Sequence, residues 1–113
     1  MSSKDPTVRL NDIVENAERI EEYMRGLNEA SFGADRKTVD ATERCLERIA
    51  EAVVKIGAER MSSIAPDVPV EQVRGLGNML RHAYDVVDFR ILFDMIQHDI
   101  PALKQAALRA LED

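Results

Sequence analysis

The 113-residue sequence has little of several features on which common protein classes depend. It has one cysteine, Cys45, and one cysteine cannot form an intramolecular disulfide framework or a multi-cysteine zinc site. It has no tryptophan, and aromatic residues make up only 4% of the chain, which argues against an aromatic surface that stacks nucleic-acid bases. It also has no apolar run near the ~18 residues of a membrane span and no secretory signal, so we expect a cytoplasmic chain with no membrane partner.

The sequence also lacks an excess of positive charge. Aspartate and glutamate outnumber lysine and arginine by 21 to 15, which gives a formal net charge of −6. This balance argues against a protein that coats nucleic acid through bulk charge. Hydrophobic residues make up 45% and charged residues 32%, as in an ordinary soluble globular chain.

Hydrophobic residues recur at helical spacings of three and four along the sequence, and no stretch alternates as a half-buried strand would. The first apolar stripe predicts an amphipathic helix that begins near Leu10 and stops near Gly26. The second predicts one long helix over residues 36–63, capped near Asp35. A polar connector around Phe32 joins the two predicted helices.

Three shorter apolar stripes follow. The third predicted helix ends near Tyr84, and Asp88 is placed to cap a fourth. The proline within residues 99–101 restarts or kinks the chain before a fifth, terminal piece. Four to five helices with short connectors predict an all-α, up-down bundle in a single domain, residues 1–113, of which residues 1–7 are flexible. An apolar stripe left uncovered on one or two helices would favour a homodimer.

The segment over residues 71–88 carries a pattern that simple helix packing does not require. Two glycines, Gly75 and Gly77, lie inside a predicted helix, where each costs roughly 1 kcal/mol relative to alanine. Close helix packing, or the close approach of a ligand or partner, should compensate for them. Polar side chains line up opposite the apolar stripe of the same helix. These polar residues are Arg74, Asn78, Arg81, His82 and Asp85.

These residue types suit chemistry on a phosphodiester. Histidine can move a proton near neutral pH, and arginine can clamp a phosphate and stabilise the charge that develops on it. Asparagine can orient either group, and RNA carries its own nucleophile in the 2′-hydroxyl, so such a site can work without a metal. No acidic residue lies between Arg74 and His82, so the segment is locally positive. A polar stripe with one histidine is more often only a solvated helix face, and on the residues alone this alternative stays open.

The other candidate groups have simpler explanations. Cys45 lies on an apolar stripe, which predicts a core position. His98 lies beside Asp99 in a connector and is predicted to be a surface residue. His82 and His98 are far apart in the sequence, and neither lies in an acid–histidine pattern typical of metal ligands. The sequence therefore predicts no metal site and no cofactor. Tyr84 is either a half-buried residue at a helix end or an exposed hydroxyl that can be modified.

Five segments of the sequence form an ordered pattern. They are the first helix from Ile13 to Gly26 with Arg19-Ile20-Glu21-Glu22-Tyr23, the connector Phe32-Gly33-Ala34-Asp35-Arg36-Lys37-Thr38, the tetrapeptide Ile49-Ala50-Glu51-Ala52, the stretch from Asn78 to Tyr84, and Ile100-Pro101-Ala102-Leu103-Lys104. The tetrapeptide Ile49-Ala50-Glu51-Ala52 resembles an Ile-Gly-Glu-Ala signature. The stretch from Asn78 to Tyr84 resembles an Arg-Asn-x-x-x-His-x-Tyr motif. In this order the segments resemble the HepT-like family of the HEPN superfamily, the toxin component of HepT/MntA toxin–antitoxin modules.

The resemblance implies a helical bundle that dimerises, with two motif helices forming a metal-independent endoribonuclease site at the dimer cleft. By matching position, His82 takes the role of the catalytic histidine and Asn78 that of the supporting polar residue. Tyr84 takes the role of the tyrosine to which the nucleotidyltransferase antitoxin, MntA in that family, attaches AMP to silence the toxin. The implied partners are RNA, an MntA-like nucleotidyltransferase and a second copy of the chain, with neither DNA nor a membrane among them.

One position departs from the motif, since Gly77 stands where the family has arginine. Arg74 lies one turn earlier on the same helical face as Asn78 and His82, and its long side chain could cover about one turn, so it is the preferred substitute. Arg81, beside the histidine, is the second. The sequence therefore predicts a toxin-type endoribonuclease with a variant site. The alternative is a catalytically degenerate binding module that docks a nucleotidyltransferase.

Overall fold

The computed structural model describes residues 5–113, and this part of the chain is helical with no β-strand. Its α-helices are α1 (Thr7–Met24), α2 (Glu29–Ala34), α3 (Arg36–Ile56), α4 (Ala58–Ile64), α5 (Val70–His82), α6 (Phe89–Asp94) and α7 (Ile100–Glu112). A 3-10 turn over Tyr84–Val86 follows α5, and a π-helical segment over Met95–Asp99 joins α6 to α7. The predicted all-α class is confirmed.

The long helix α3 lies at the centre of the bundle. It packs against α1 and against α5, and α1 also packs against α7. The buried residues of α1 and α3 recur at spacings of three and four, so each helix turns one apolar stripe towards its neighbours. The buried side chains form one cluster, and its most completely covered members include Ile13, Phe32, Leu46, Ile49 and Leu103.

The helix predicted over residues 36–63 is in fact two helices. α3 ends at Ile56, and α4 begins at Ala58. Gly57 between them has φ 99° and ψ 147°, a conformation that residues with a Cβ avoid, so the helix cannot continue through it. The predicted cap at the other end is confirmed, since the Asp35 side chain accepts a 3.1 Å hydrogen bond from a backbone N–H in the first turn of α3. This hydrogen bond lowers the pKa of the Asp35 carboxyl.

The connector predicted to be polar coil contains the short helix α2. The backbone N–H of Ser31 donates to Oδ1 of Asn28 at 2.8 Å, and the backbone N–H of Asn28 donates to the Ser31 hydroxyl at 2.9 Å. This reciprocal capping box starts the helix. Phe32, which was assigned to the connector, is completely buried, and its ring centroid lies 5.2 Å from that of Phe89.

The predicted end of the third helix and the predicted cap of the fourth are confirmed. The third predicted helix corresponds to α5 and ends at His82. Asp88 caps α6 by accepting a 2.8 Å hydrogen bond from the backbone N–H of Arg90. Pro101 lies in the first turn of α7. The backbone stays helical from α6 through the π-helical segment into α7, so the chain does not restart before the proline as one of the two expectations had it.

The first residues of the chain are described only in part. The expectation that residues 1–7 are flexible concerns mainly residues 1–4, which lie outside the described residues, whereas Thr7 is the first residue of α1. The single-domain organisation stays a prediction. Among the helices of residues 5–113, none is both long and apolar enough to cross a membrane.

Candidate active site

Helix α5 and the turn after it carry every side chain predicted to take part in chemistry. Val73, Leu76 and Leu80 form the buried face of α5, which packs on α3. The helix ends at His82, because the next residue leaves the helical conformation and donates its N–H to the carbonyl oxygen of Met79 at 2.7 Å. The opposite face and the C-terminal end of α5 are therefore left open to solvent.

The structure exposes all the predicted site residues. Tyr84 lies in the 3-10 turn and is 71% exposed, which corresponds to the second of the two environments left open for it. Its hydroxyl is thus accessible to another molecule. The exposed set on α5 and the following turn is Arg74, Asn78, Arg81, His82 and Tyr84.

Each of the two candidate arginines contacts a carboxylate. Arg74 donates from Nε and Nη2 to Oε1 of Glu71 at 3.0 and 2.8 Å, which holds its guanidinium beside the first turn of α5. At 1.5 Å of rise per residue, about 12 Å of helix separates Arg74 from His82. Nη2 of Arg81 lies 3.9 Å from Oε1 of Glu51 on α3, a looser contact between half-exposed side chains. Along the helix, Arg81 is therefore the candidate cation nearer to His82.

The two carboxylates are site residues that the sequence reasoning missed. The segment was expected to be locally positive, but the structure brings an acidic group to each arginine. Glu71 and Arg74 have the i,i+3 spacing of a helical ion pair, so the sequence did carry that signal. Glu51 belongs to a different helix, and only the packing of α5 on α3 reveals its contact with Arg81.

Gly77 marks a close approach of α5 to α3. The residue is buried, and a Cβ placed on it would overlap the Cβ of Ala50. The same added Cβ would lie 3.7 Å from the carbonyl oxygen of Leu46. Close helix packing was one of the two explanations offered for a glycine inside this helix, and it is confirmed at Gly77. Gly75 differs, because no atom lies within 4 Å of the place its Cβ would occupy.

Ala50 and Gly77 are also two positions at which the sequence departs from the motifs it resembles. Those motifs have glycine on the long helix and arginine on the motif helix, whereas this chain has alanine and glycine. Because the two positions face each other in a close-packed contact, a larger residue at one requires a smaller residue at the other. Packing therefore explains the absent arginine: with Ala50 opposite, position 77 has no room for a side chain.

The remaining candidate groups lie away from α5. Cys45 is buried in the core as predicted, and burial raises the pKa of its thiol, which keeps the sulfur protonated. His98 is exposed, as predicted, within the π-helical segment. Across residues 5–113, no three side chains of His, Cys, Asp or Glu form a group that could hold a metal ion.

The comparisons with known proteins bear on the whole of this bundle. Residues 13–110 match the family model described as "Ribonuclease HepT-like". The chain belongs to the HepT-like ribonuclease family. It is 38% identical over 95 residues to "Probable ribonuclease HepT" of Thermococcus cleftensis, an alignment that covers 84% of this chain and 86% of that protein. It is 30% identical over 105 residues to "Putative RNase MJ1380" of Methanocaldococcus jannaschii, covering 93% of this chain and 95% of that protein. No solved structure gives a significant match.

Membership of the HepT-like family confirms the predicted family and the predicted enzyme class, that of ribonucleases. The matched residues include both sides of the Ala50–Gly77 contact and all of α5. The roles of the individual side chains stay predictions.

We expect Ala50 and Gly77 to behave as a coupled pair. Gly77→Ala should lower the free energy of unfolding by about 1–3 kcal/mol, because the added methyl overlaps Ala50. Ala50→Gly alone should cost about 1 kcal/mol, because glycine is unfavourable inside a helix. The double variant should lose less free energy of unfolding than the two single variants lose in sum. Urea denaturation of the wild type, the two single variants and the double variant measures these losses.

Gly75→Ala is the matched control for this cycle, since it adds the same methyl to the same helix in open space. It should leave the free energy of unfolding unchanged or raise it by up to about 1 kcal/mol. Strictly additive effects, or a Gly77→Ala protein as stable as the wild type, would contradict the close contact.

Proposed function

We propose that this HepT-like protein is an endoribonuclease that cleaves RNA at the C-terminal end of α5, with His82 as the general acid–base. The observation that carries the proposal is the exposure of His82, Asn78 and Arg81 together at one end of a helix that lies inside the family match. An exposed imidazole at a helix end can reach a bound strand and exchange a proton with it near neutral pH.

The proposed reaction uses the nucleophile that RNA itself supplies. A base removes the proton of the 2′-hydroxyl, the oxygen attacks the adjacent phosphorus, and the bond to the 5′-oxygen breaks as that oxygen is protonated. Negative charge grows on the non-bridging phosphate oxygens, and a guanidinium placed there stabilises it. We assign this guanidinium to Arg81, and Asn78 donates from its amide to a phosphate oxygen. Arg74 is the alternative cation and would first have to leave Glu71.

We further propose that a second copy of the chain completes the site. A groove of about 550 Å³ runs beside α5, and Gly75 lies among its lining residues. Met79, Val86 and Ile91 also line it and are 39%, 62% and 56% exposed. A contiguous apolar surface next to the motif side chains supports the homodimer that the family resemblance implies. The missing Cβ at Gly75 would let a partner helix come close to the backbone.

The proposal includes a role as the toxin of a toxin–antitoxin pair. Its partner is an MntA-like nucleotidyltransferase that transfers AMP to the hydroxyl of Tyr84. Tyr84 lies two residues after His82 and is exposed, so an attached AMP would stand next to the site. The added phosphate would bring negative charge to Arg81 and compete there with an RNA phosphate.

One observation favours a second candidate function. Because Gly77 packs on Ala50, the motif arginine is absent, and both nearby arginines contact carboxylates. A chain without cleavage activity would be a binding module that docks the nucleotidyltransferase through the same end of α5. The two candidates share a partner and differ in RNA cleavage.

The change His82→Ala should lower the rate of RNA cleavage by at least about 100-fold, because it removes the only proton-transfer group proposed for the site. The measurement is the cleavage of a labelled single-stranded RNA by purified protein in the presence of a chelator. His98→Ala is the matched control and should cut RNA as fast as the wild type, since His98 is exposed on a different segment. If the wild type leaves RNA uncut, the binding module is the correct candidate. If His82→Ala cuts as fast as the wild type, the assignment of proton transfer to His82 is wrong.

Co-expression with an MntA-like nucleotidyltransferase should add the mass of one AMP group to the protein. Tyr84→Phe should abolish the adduct because it removes the acceptor oxygen. Tyr23→Phe is the control and should keep the adduct, although Tyr23 is also exposed, because it lies on α1. Intact-mass spectrometry decides between these results, and an adduct that survives Tyr84→Phe would show that the modified residue is a different one.

A further inference from the structure

A polar cavity lies between α1 and α3, beside the candidate active site. Its volume is about 210 Å³, and it is lined by Arg9, Asp12 and Asn16 of α1 and by Arg48 and Glu51 of α3. A single water molecule takes up roughly 30 Å³ in the liquid. The cavity therefore has room for a ligand considerably larger than one water molecule.

Asn16 is the residue of this cavity that internal contacts do not explain. It is only 4% exposed. Its Nδ2 donates to the backbone carbonyl oxygen of Asp12 at 2.8 Å, which fixes the orientation of the amide. Its Oδ1 is buried and has no hydrogen-bond partner within the described residues. Buried acceptors are nearly always paired because an unpaired one is costly, so Oδ1 points to a donor that the folded chain does not itself supply.

The charged side chains around Asn16 leave one guanidinium available. Nη1 of Arg9 lies 3.4 Å from Oδ2 of Asp12, and Oε1 of Glu51 lies 3.9 Å from Nη2 of Arg81 on α5. Arg48 forms no ion pair with any residue of the described chain. The two arginines that line the cavity equal its two carboxylates in number, so the lining has no net negative charge in a chain of net charge −6.

We propose that the cavity is a second nucleotide site, which binds one nucleoside monophosphate unit of RNA. Arg48 binds the phosphate, and Oδ1 of Asn16 accepts a hydrogen bond from an amino group of the base or a hydroxyl of the ribose. The carboxylates of Asp12 and Glu51 are further acceptors for N–H groups of the base. A nucleotide matches this set because it combines an anionic phosphate with several N–H and O–H donors, whereas inorganic phosphate offers no base.

Glu51 connects this cavity to the candidate active site. Its carboxylate lines the cavity and also lies 3.9 Å from Arg81, the residue before His82 on α5. An RNA strand with one phosphate bound at Arg81 can therefore continue across α3 and place a neighbouring nucleotide at Asn16. The placement of RNA along this path rests on the proposed ribonuclease function, whereas binding of a free nucleotide at the cavity does not.

The test is a titration of the wild-type protein with each of the four nucleoside 5′-monophosphates, followed by proton–nitrogen correlation spectra. At least one nucleotide should shift the side-chain amide signals of Asn16 saturably, and inorganic phosphate at the same concentration should leave them in place. Arg48→Gln should raise the half-saturating concentration about 3- to 10-fold, because a charged hydrogen-bond donor is lost. Arg44→Gln is the matched control on α3 and should bind as the wild type does, since Arg44 is already paired with Glu47 at 2.9 Å.

Asn16→Leu separates binding from structure, since leucine has a similar size and leaves no unpaired acceptor. Nucleotide binding, followed through the Nε–H signal of Arg48, should be lost while the midpoint of thermal unfolding stays the same or rises. Unchanged binding by Asn16→Leu, or no shift of the wild-type amide with any of the four nucleotides, overturns the inference.

RNA cleavage by the same proteins distinguishes this inference from the proposed function. Cleavage of RNA by a protein that binds no nucleotide at Asn16 overturns the second site and leaves the proposed ribonuclease intact. Nucleotide binding at Asn16 by a protein that cuts no RNA supports the second site and overturns the proposed ribonuclease.

Discussion

The contact between Gly77 and Ala50 sets how closely α5 can lie on α3. It lets α5 lie directly on α3 with no side chain of position 77 between the two helices. This packing brings Arg81 to Glu51 and leaves His82 at the open end of α5. A larger residue at position 77 would separate the helices and displace the polar flank of α5 with them. The same contact therefore fixes the packing of α5 on α3 and limits where a cation can stand in the proposed site.

The acidic composition becomes compatible with RNA once the charges are placed on the structure. Arg74 and Arg81 meet carboxylates that are themselves largely exposed, and such surface pairs contribute little, so a phosphate can replace the carboxylate at small cost. In the proposed site the chain holds a few phosphates through individual guanidinium groups. The remainder of the surface, in a chain of net charge −6, does not favour broad coating of nucleic acid.

Features with a local signal could be predicted from the sequence, and features that depend on tertiary contacts could not. The cap at Asp35 and the apolar stripes follow from spacing along one helix, and these predictions are confirmed. The sequence did not predict the break at Gly57, because hydrophobic residues keep their helical spacing from α3 into α4. The positive φ of Gly57 is what reveals the break. In the candidate site, the motif is sufficient to identify His82 as a candidate residue. Glu51 and the reason for Gly77 depend on which residues of α3 lie opposite α5, and no pattern within either segment specifies that.

In the proposed site, Arg81 replaces the arginine that the packing of Gly77 on Ala50 excludes. RNA cleavage by Arg81→Ala in two backgrounds, the wild type and Ala50→Gly/Gly77→Arg, tests this replacement. In the wild-type background Arg81→Ala should lower the rate by about 100-fold, since it removes the charge that stabilises the transition state. In the second background the loss should be much smaller, because position 77 then supplies the cation. Wild-type cleavage by Arg81→Ala, or an equal loss in both backgrounds, would contradict the account.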